Sequence, residues 1–109
     1  PTMITVIGHD PGTPVIPITT GINNAYPNPF NPSVTLDYGI VRNGTTSIAV
    51  FNQRGQLVRN LFNGFKESGN YTVTWNGTDN NGRELPSGVY NIRLLTDGKA
   101  FNRRVIFLK

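Results

Sequence analysis

Few side chains in this sequence could carry a reaction. His9 is the only histidine and there is no cysteine, so a folded Ser–His or Cys–His pair has no base to use. A zinc-type site lacks its usual ligands for the same reason. Carboxylates come near one another only at Asp79 and Glu84, which flank Asn80-Asn81-Gly82-Arg83. Oxygen-rich loops can hold calcium, but this one lacks the ligand series of an EF-hand. Asp and Asn also stabilise tight turns by bonding nearby backbone groups. A turn is expected there, with calcium left open. No glycine-rich loop follows a strand and opens a helix, so no phosphate cradle is expected. Sequon matches at Asn43, Asn70 and Asn76 are what a chain rich in Asn and Thr contains. Tyr71 and Trp75 could form a sugar platform, but an alternating Tyr-x-Val-x-Trp strand is expected to bury its aromatics. The residues point away from an enzyme, and no cofactor or metal is expected.

The charge is unevenly placed. The net charge is +4. Arg42, Arg54, Arg59, Lys66, Arg83 and Arg93 balance Asp10, Asp37, Glu67, Asp79, Glu84 and Asp97, so Lys99, Arg103, Arg104 and Lys109 supply the excess. Basic groups can address nucleic acid, an anionic surface or an acidic partner. These are too few and too linear for nucleic acid. No apolar run is long enough to span a membrane. The sequence opens on Pro1 without a basic-plus-apolar leader and reads as a piece of a longer protein.

The elements that must position these groups are strands. The chain has 109 residues, among them 12 Gly and 8 Pro, a turn-rich composition for a single domain. Met3 to Ile7 could be a short strand. Asp10-Pro11-Gly12, Pro14 and Pro17 within Gly8 to Gly21 have linker chemistry, so residues 1–21 are read as a linker or the end of a preceding domain. Residues 22–109 form the domain proper. Val34, Leu36, Tyr38 and Ile40 alternate with polar residues or glycine, as do Tyr71, Val73 and Trp75. Ser47 to Phe51 is apolar enough to be covered on both faces. Leu57 to Phe62 has some helical spacing, but glycines bound it and it is assigned to a strand. Val89 to Leu95 and Lys99 to Leu108 complete the set, joined by Asp97-Gly98, a type I′ hairpin signal. About seven antiparallel strands separated by regular turns predict an all-β sandwich or small barrel.

The most specific stretch is Tyr26-Pro27-Asn28-Pro29-Phe30-Asn31-Pro32. Its prolines lack N–H donors and favour extended backbone, so it should run along a sheet edge and block strand addition, with Tyr26 and Phe30 as anchors. This stretch resembles the opening of the type A C-terminal sorting domains of type IX secretion. The resemblance continues, in order, through Phe51-Asn52-Gln53-Arg54-Gly55-Gln56-Leu57-Val58-Arg59, Thr74-Trp75-Asn76-Gly77-Thr78-Asp79, Ser87-Gly88-Val89-Tyr90, and the basic-apolar end from Lys99 through Arg103-Arg104-Val105-Ile106-Phe107-Leu108-Lys109. It covers residues 22–109. Arginine stands at 103 and 104 where lysine is common in the family. The immunoglobulin-like domain of the flagellar hook-capping protein shares much of the pattern.

The resemblance implies an immunoglobulin-like sandwich that is not an enzyme. It would act as a secretion signal for an N-terminal cargo domain in the same chain, recognised by the outer-membrane translocon and cut by the sortase-like peptidase of that system. Cargo would reach the surface of a Gram-negative bacterium through the periplasm, with no membrane insertion and no nucleic acid bound. The sorting-signal residues it implies are Pro27, Asn28, Pro29, Gly88, Tyr90, Lys99, Arg103, Arg104 and Lys109. Gly88 should allow a tight start to its strand and Tyr90 should lock that strand into the core. The last strand should then be an edge bearing the four cations. Cleavage is expected within Gly8 to Gly21. The alternative is a structural or carbohydrate-binding immunoglobulin-like accessory module of a large secreted enzyme.

Overall fold

Alternation of apolar and polar residues gives strands one buried face each, and the chain satisfies them by stacking two sheets. The computed structural model describes residues 18–109; Met3–Ile7, His9 and the expected linker up to Pro17 lie outside them. Seven strands follow in order: β1 (Gly21–Tyr26), β2 (Val34–Ile40), β3 (Gly44–Phe51), β4 (Leu57–Lys66), β5 (Gly69–Trp75), β6 (Gly88–Thr96) and β7 (Lys99–Phe107). One sheet has the order β1-β2-β5 and the other β4-β3-β6-β7, all pairs antiparallel. This is the all-β, immunoglobulin-like sandwich expected from the sequence, and Leu57 to Phe62 is strand.

The core lies between the sheets. β2 contributes Val34, Leu36, Tyr38 and Ile40, β3 Ile48 and Val50, β6 Tyr90, Ile92 and Leu94, and β7 Val105 and Phe107. Each large side chain buried this way contributes roughly 1.5–3 kcal/mol, which is how the domain holds together without a disulfide. One polar pair is also buried: the hydroxyls of Thr46 and Thr96 bond each other at 3.1 Å, so neither lacks a partner. Of the outward-facing residues of β3, only Ala49 is buried; Ser47 and Phe51 are half-exposed.

The hairpin of β6 and β7 forms as its turn chemistry dictates, with φ of 54° at Asp97 and 69° at Gly98. β1 carries no period-two signal in its sequence, because its register shifts between Ile22 and Asn24, a bulge that breaks the alternation. β4 runs to Lys66, through an Asn63-Gly64 pair that reads as a turn.

Candidate functional site

The blocks of sequence that carry the resemblance are far apart in the chain and meet at one end of the sandwich. Phe30 from the proline segment stacks on Phe107 of β7, with centroids 4.8 Å apart, and tilts against Trp75 at 5.4 Å. Trp75 takes Tyr90 edge-on at 5.2 Å. All four rings are buried. The Trp75 indole N–H donates to the Thr78 carbonyl at 2.9 Å. Gly77 has φ of +76°, and a Cβ there would lie 2.7 Å from the Phe107 ring. The Asn-Gly pair after Trp75 is thus fixed by both backbone conformation and space.

The hairpin block joins the same end through Arg59, whose Nη1 donates to the Thr78 hydroxyl at 2.8 Å and the Asp79 carbonyl at 2.9 Å. Its own turn is built on Asn52, whose Oδ1 accepts from the N–H groups of Arg54 and Gln56. Asp79 acts likewise in the next loop, accepting from the N–H groups of Asn81 and Arg83, each at 2.9 Å. The Arg83 N–H in particular holds the Asp79 carboxyl below its ordinary range, aided by Asn81 and the charges of Arg83 and Arg59 and opposed by partial desolvation. Glu84 instead pairs with Lys109 at 3.4 Å. The two carboxylates therefore do separate jobs in a turn. Among the described residues, no three His, Cys, Asp or Glu side chains come together.

Both edges of the four-stranded sheet are partly closed by an asparagine acting as a strand. On β4, the Asn80 N–H donates to the Val58 carbonyl and its Oδ1 accepts from the Asn60 N–H. On β7, the Asn28 amide donates to the Arg104 carbonyl at 3.2 Å and accepts from the Ile106 N–H at 2.9 Å. Phe30 continues the pairing, donating to the Ile106 carbonyl and accepting from the Leu108 N–H. The proline segment does lie along an edge, but it is bent on both sides of Phe30 rather than extended. Phe30 is its buried anchor. Tyr26 is half-exposed and bonds the Asp37 carboxylate, which raises the pKa of its phenol.

The expected signal residues are thus distributed as follows. Pro27 and Pro29 are exposed beside Leu108 and Lys109, around a shallow hollow of about 360 Å³. Tyr90 is buried as expected, and its hydroxyl donates to the Pro86 carbonyl at 2.6 Å, the arrangement of a tyrosine corner; burial raises its pKa. The expectation for Gly88 needs correction: it has no positive φ, and an added Cβ would meet only the Tyr90 ring, 4.0 Å away. The strand begins there without a glycine requirement.

The four terminal cations also differ from expectation, since they do not form one patch. Neighbours on a strand face opposite ways, so Arg103 turns inward and donates to the Ile22 carbonyl on β1, while Arg104 faces outward and is exposed. Lys99 lies at the hairpin end of β7 and Lys109 beyond its other end, beside Glu84. The period-two rule would have separated Arg103 from Arg104 in the sequence.

The architecture defines an immunoglobulin-like module whose turns and aromatic end serve its own packing. The chain belongs to the FlgD Ig-like domain family, whose model matches residues 34–99. Solved structures share the fold: FlgD from P. aeruginosa (TM-score 0.50, 20% identity, 68% of this chain and 58% of that one); PorZ, an essential surface component of the type-IX secretion system of Porphyromonas gingivalis (0.57, 24%, 82% and 12%); and dimeric latent PorU from Porphyromonas gingivalis (0.63, 16%, 86% and 10%). The chain thus spans just over half of that FlgD chain and about a tenth of the other two. No curated protein matches it.

Proposed function

We propose that this module is a non-catalytic sorting domain that directs an attached cargo protein through the type IX translocon to the cell surface, where the sortase-like peptidase of that system acts on it. One observation carries the reading. The family match stops at residue 99 and begins at 34, and the two resembling stretches outside it, 26–32 and 100–109, are hydrogen-bonded to each other through Asn28, Phe30, Arg104, Ile106 and Leu108. Two widely separated stretches that carry the resemblance to sorting domains thus form a single structural unit here. The fold shared with PorZ, a surface component of a type-IX system, agrees with this reading.

The test is export of a reporter fused to this chain in a type IX-competent bacterium. Deleting residues 100–109 would be a poor control, because it removes Val105 and Phe107 from the core. The informative variant is K99Q/R104Q/K109Q, which changes only exposed side chains. The fusion should reach the surface and the variant should accumulate in the periplasm with a melting temperature close to that of the wild type, since the exposed Lys109–Glu84 pair it loses contributes little stability. A wild-type fusion retained in the periplasm like the unfused reporter would overturn the proposal.

A further inference from the structure

Among the described residues, the outer side of β7 is only half occupied. Ile106 turns both its N–H and its carbonyl away from β6, toward Asn28 and Phe30. The β6–β7 register runs without a shift from Gly88↔Phe107 to Thr96↔Lys99, and backbone groups alternate sides along such a ladder. The N–H and carbonyl of Ala100 and Asn102, and the N–H of Arg104, therefore point the same way. The Arg104 carbonyl is the first group capped, and β1 forms no ladder with β7. Among the described residues, the backbone edge from Ala100 to Arg104 remains unpaired, with the start of β1 touching it only through the side chains of Phe101 and Arg103, and its donors and acceptors are spaced for one added strand.

The side chains along this edge select what can add. Ala100, Asn102 and Arg104 face outward, as do their β6 partners Leu95, Arg93 and Asn91. Arg93 and Arg104 are diagonal neighbours on that face, within reach of one another for long side chains. Arg93 lies over the Phe51 ring at 4.4 Å, its Nε buried without an acceptor. The ion pairs among the described residues join Arg42 to Asp97, Arg83 to Asp79 and Lys109 to Glu84, leaving Arg93 and Arg104 out. The facing positions of β3 and β4 (Ser47, Ala49, Phe51, Asn60, Asn63) add no acid. A second copy pairing edge to edge would gather Lys99, Arg103 and Arg104 of both chains with no carboxylate between them, and like charges on adjacent strands are destabilising. An acidic strand meets the opposite situation.

We infer that the open edge from Ala100 to Arg104 takes up an extended segment of an acidic partner by strand addition, with carboxylates at alternate positions beside Arg104 and Arg93. The inference rests on the sorting-domain reading, and adds the recognised edge, the pairing mode and the partner's chemistry. Main-chain bonds supply the affinity, and the alternating carboxylates supply the choice of partner.

The experiment is a titration of the 109-residue chain with a capped peptide alternating Glu and Thr, read by amide hydrogen exchange. Exchange should slow at the N–H groups of Ala100, Asn102 and Arg104, and R104Q should bind about tenfold more weakly, or about 1.4 kcal/mol. A Lys/Thr peptide and a backbone-methylated Glu/Thr peptide should not bind. N102P should abolish binding, since it removes a donor from the open side without removing a β6–β7 bond. R104Q keeps every backbone group and decides the matter if N102P fails to fold. Equal binding of either control peptide, undiminished affinity of R104Q, or self-association instead of peptide binding would overturn the inference. A wild-type fusion that reaches the surface while the acidic peptide fails to bind sinks this inference alone. A fusion retained in the periplasm sinks the sorting reading, and the titration still decides this one.

Discussion

Replacing Asn28 tests whether its side chain acts as a piece of strand on β7. Asn28→Ala removes two hydrogen bonds, to the Arg104 carbonyl at 3.2 Å and from the Ile106 N–H at 2.9 Å. Both are exposed, so water replaces them and each contributes toward the lower end of about 0.5–1.5 kcal/mol. The expected loss is about 1–2 kcal/mol. At about 4–8 °C per kcal/mol for a domain this size, the melting temperature should fall by about 5–15 °C. Asn28→Asp separates the geometry from mere side-chain loss. It keeps an acceptor for Ile106 but sets a second oxygen against the Arg104 carbonyl, so at neutral pH it should cost more than alanine does. A protonated Asp can donate to that carbonyl, which raises its folded pKa above the unfolded value of about 3.9. Its deficit should therefore shrink as pH falls through the folded pKa. Circular-dichroism melts at neutral and acid pH, with amide exchange at Ile106, measure both effects. An Asp variant as stable as wild type at neutral pH would refute the reasoning.

The other predictions concern the aromatic end and its loops. Gly77→Ala meets both a positive φ and the Phe107 ring; urea unfolding should show a loss of about 2–4 kcal/mol, strain and overpacking together. Gly88→Ala should stay within about 0.5 kcal/mol of wild type, because nothing crowds that position. Tyr90→Phe should lose about 1 kcal/mol by leaving the Pro86 carbonyl without its donor, measured by the same unfolding. The Asp79 carboxyl is held low by the Arg83 N–H before other causes, so its folded pKa lies below its unfolded one. Its stabilisation is present above about pH 4 and is lost as pH falls through the folded value. Asp79→Asn should lack that part of the acid loss in melts across this range.

Much of the fold was legible because β2, β5 and β6 each bury one face, and period-two patterning reports that directly. Asp97-Gly98 was legible because a two-residue hairpin demands positive φ. β1 was hidden by its bulge, and the end of β4 by Asn63-Gly64, whose turn chemistry is overridden by pairing with Thr46 and Ser47. The role of Asn28 left no periodic trace, since a side-chain amide standing in for a peptide unit depends on a strand 76 residues away. The meeting of Phe30, Trp75, Tyr90 and Phe107 is likewise a long-range fact. Composition could place these rings in a core, but could not say that they share one end of it. The separation of Arg103 from Arg104 is legible in the sequence, since adjacent residues of a strand face opposite ways.

β1 and the proline segment after it run in the same direction as β7: Gly21 and Ile22 meet only the side chains of Phe101 and Arg103, and further along Phe30 bridges Phe107 in parallel. Tension between the start of β1 and the tip of β7 would draw these two ribbons past each other lengthwise. The bonds at Asn28 and Phe30 then bear the load together, in shear, instead of unzipping one after another. A stretched molecule should meet its stiffest resistance at the first few ångströms of extension, at the seam where the proline segment is laced to the last strand.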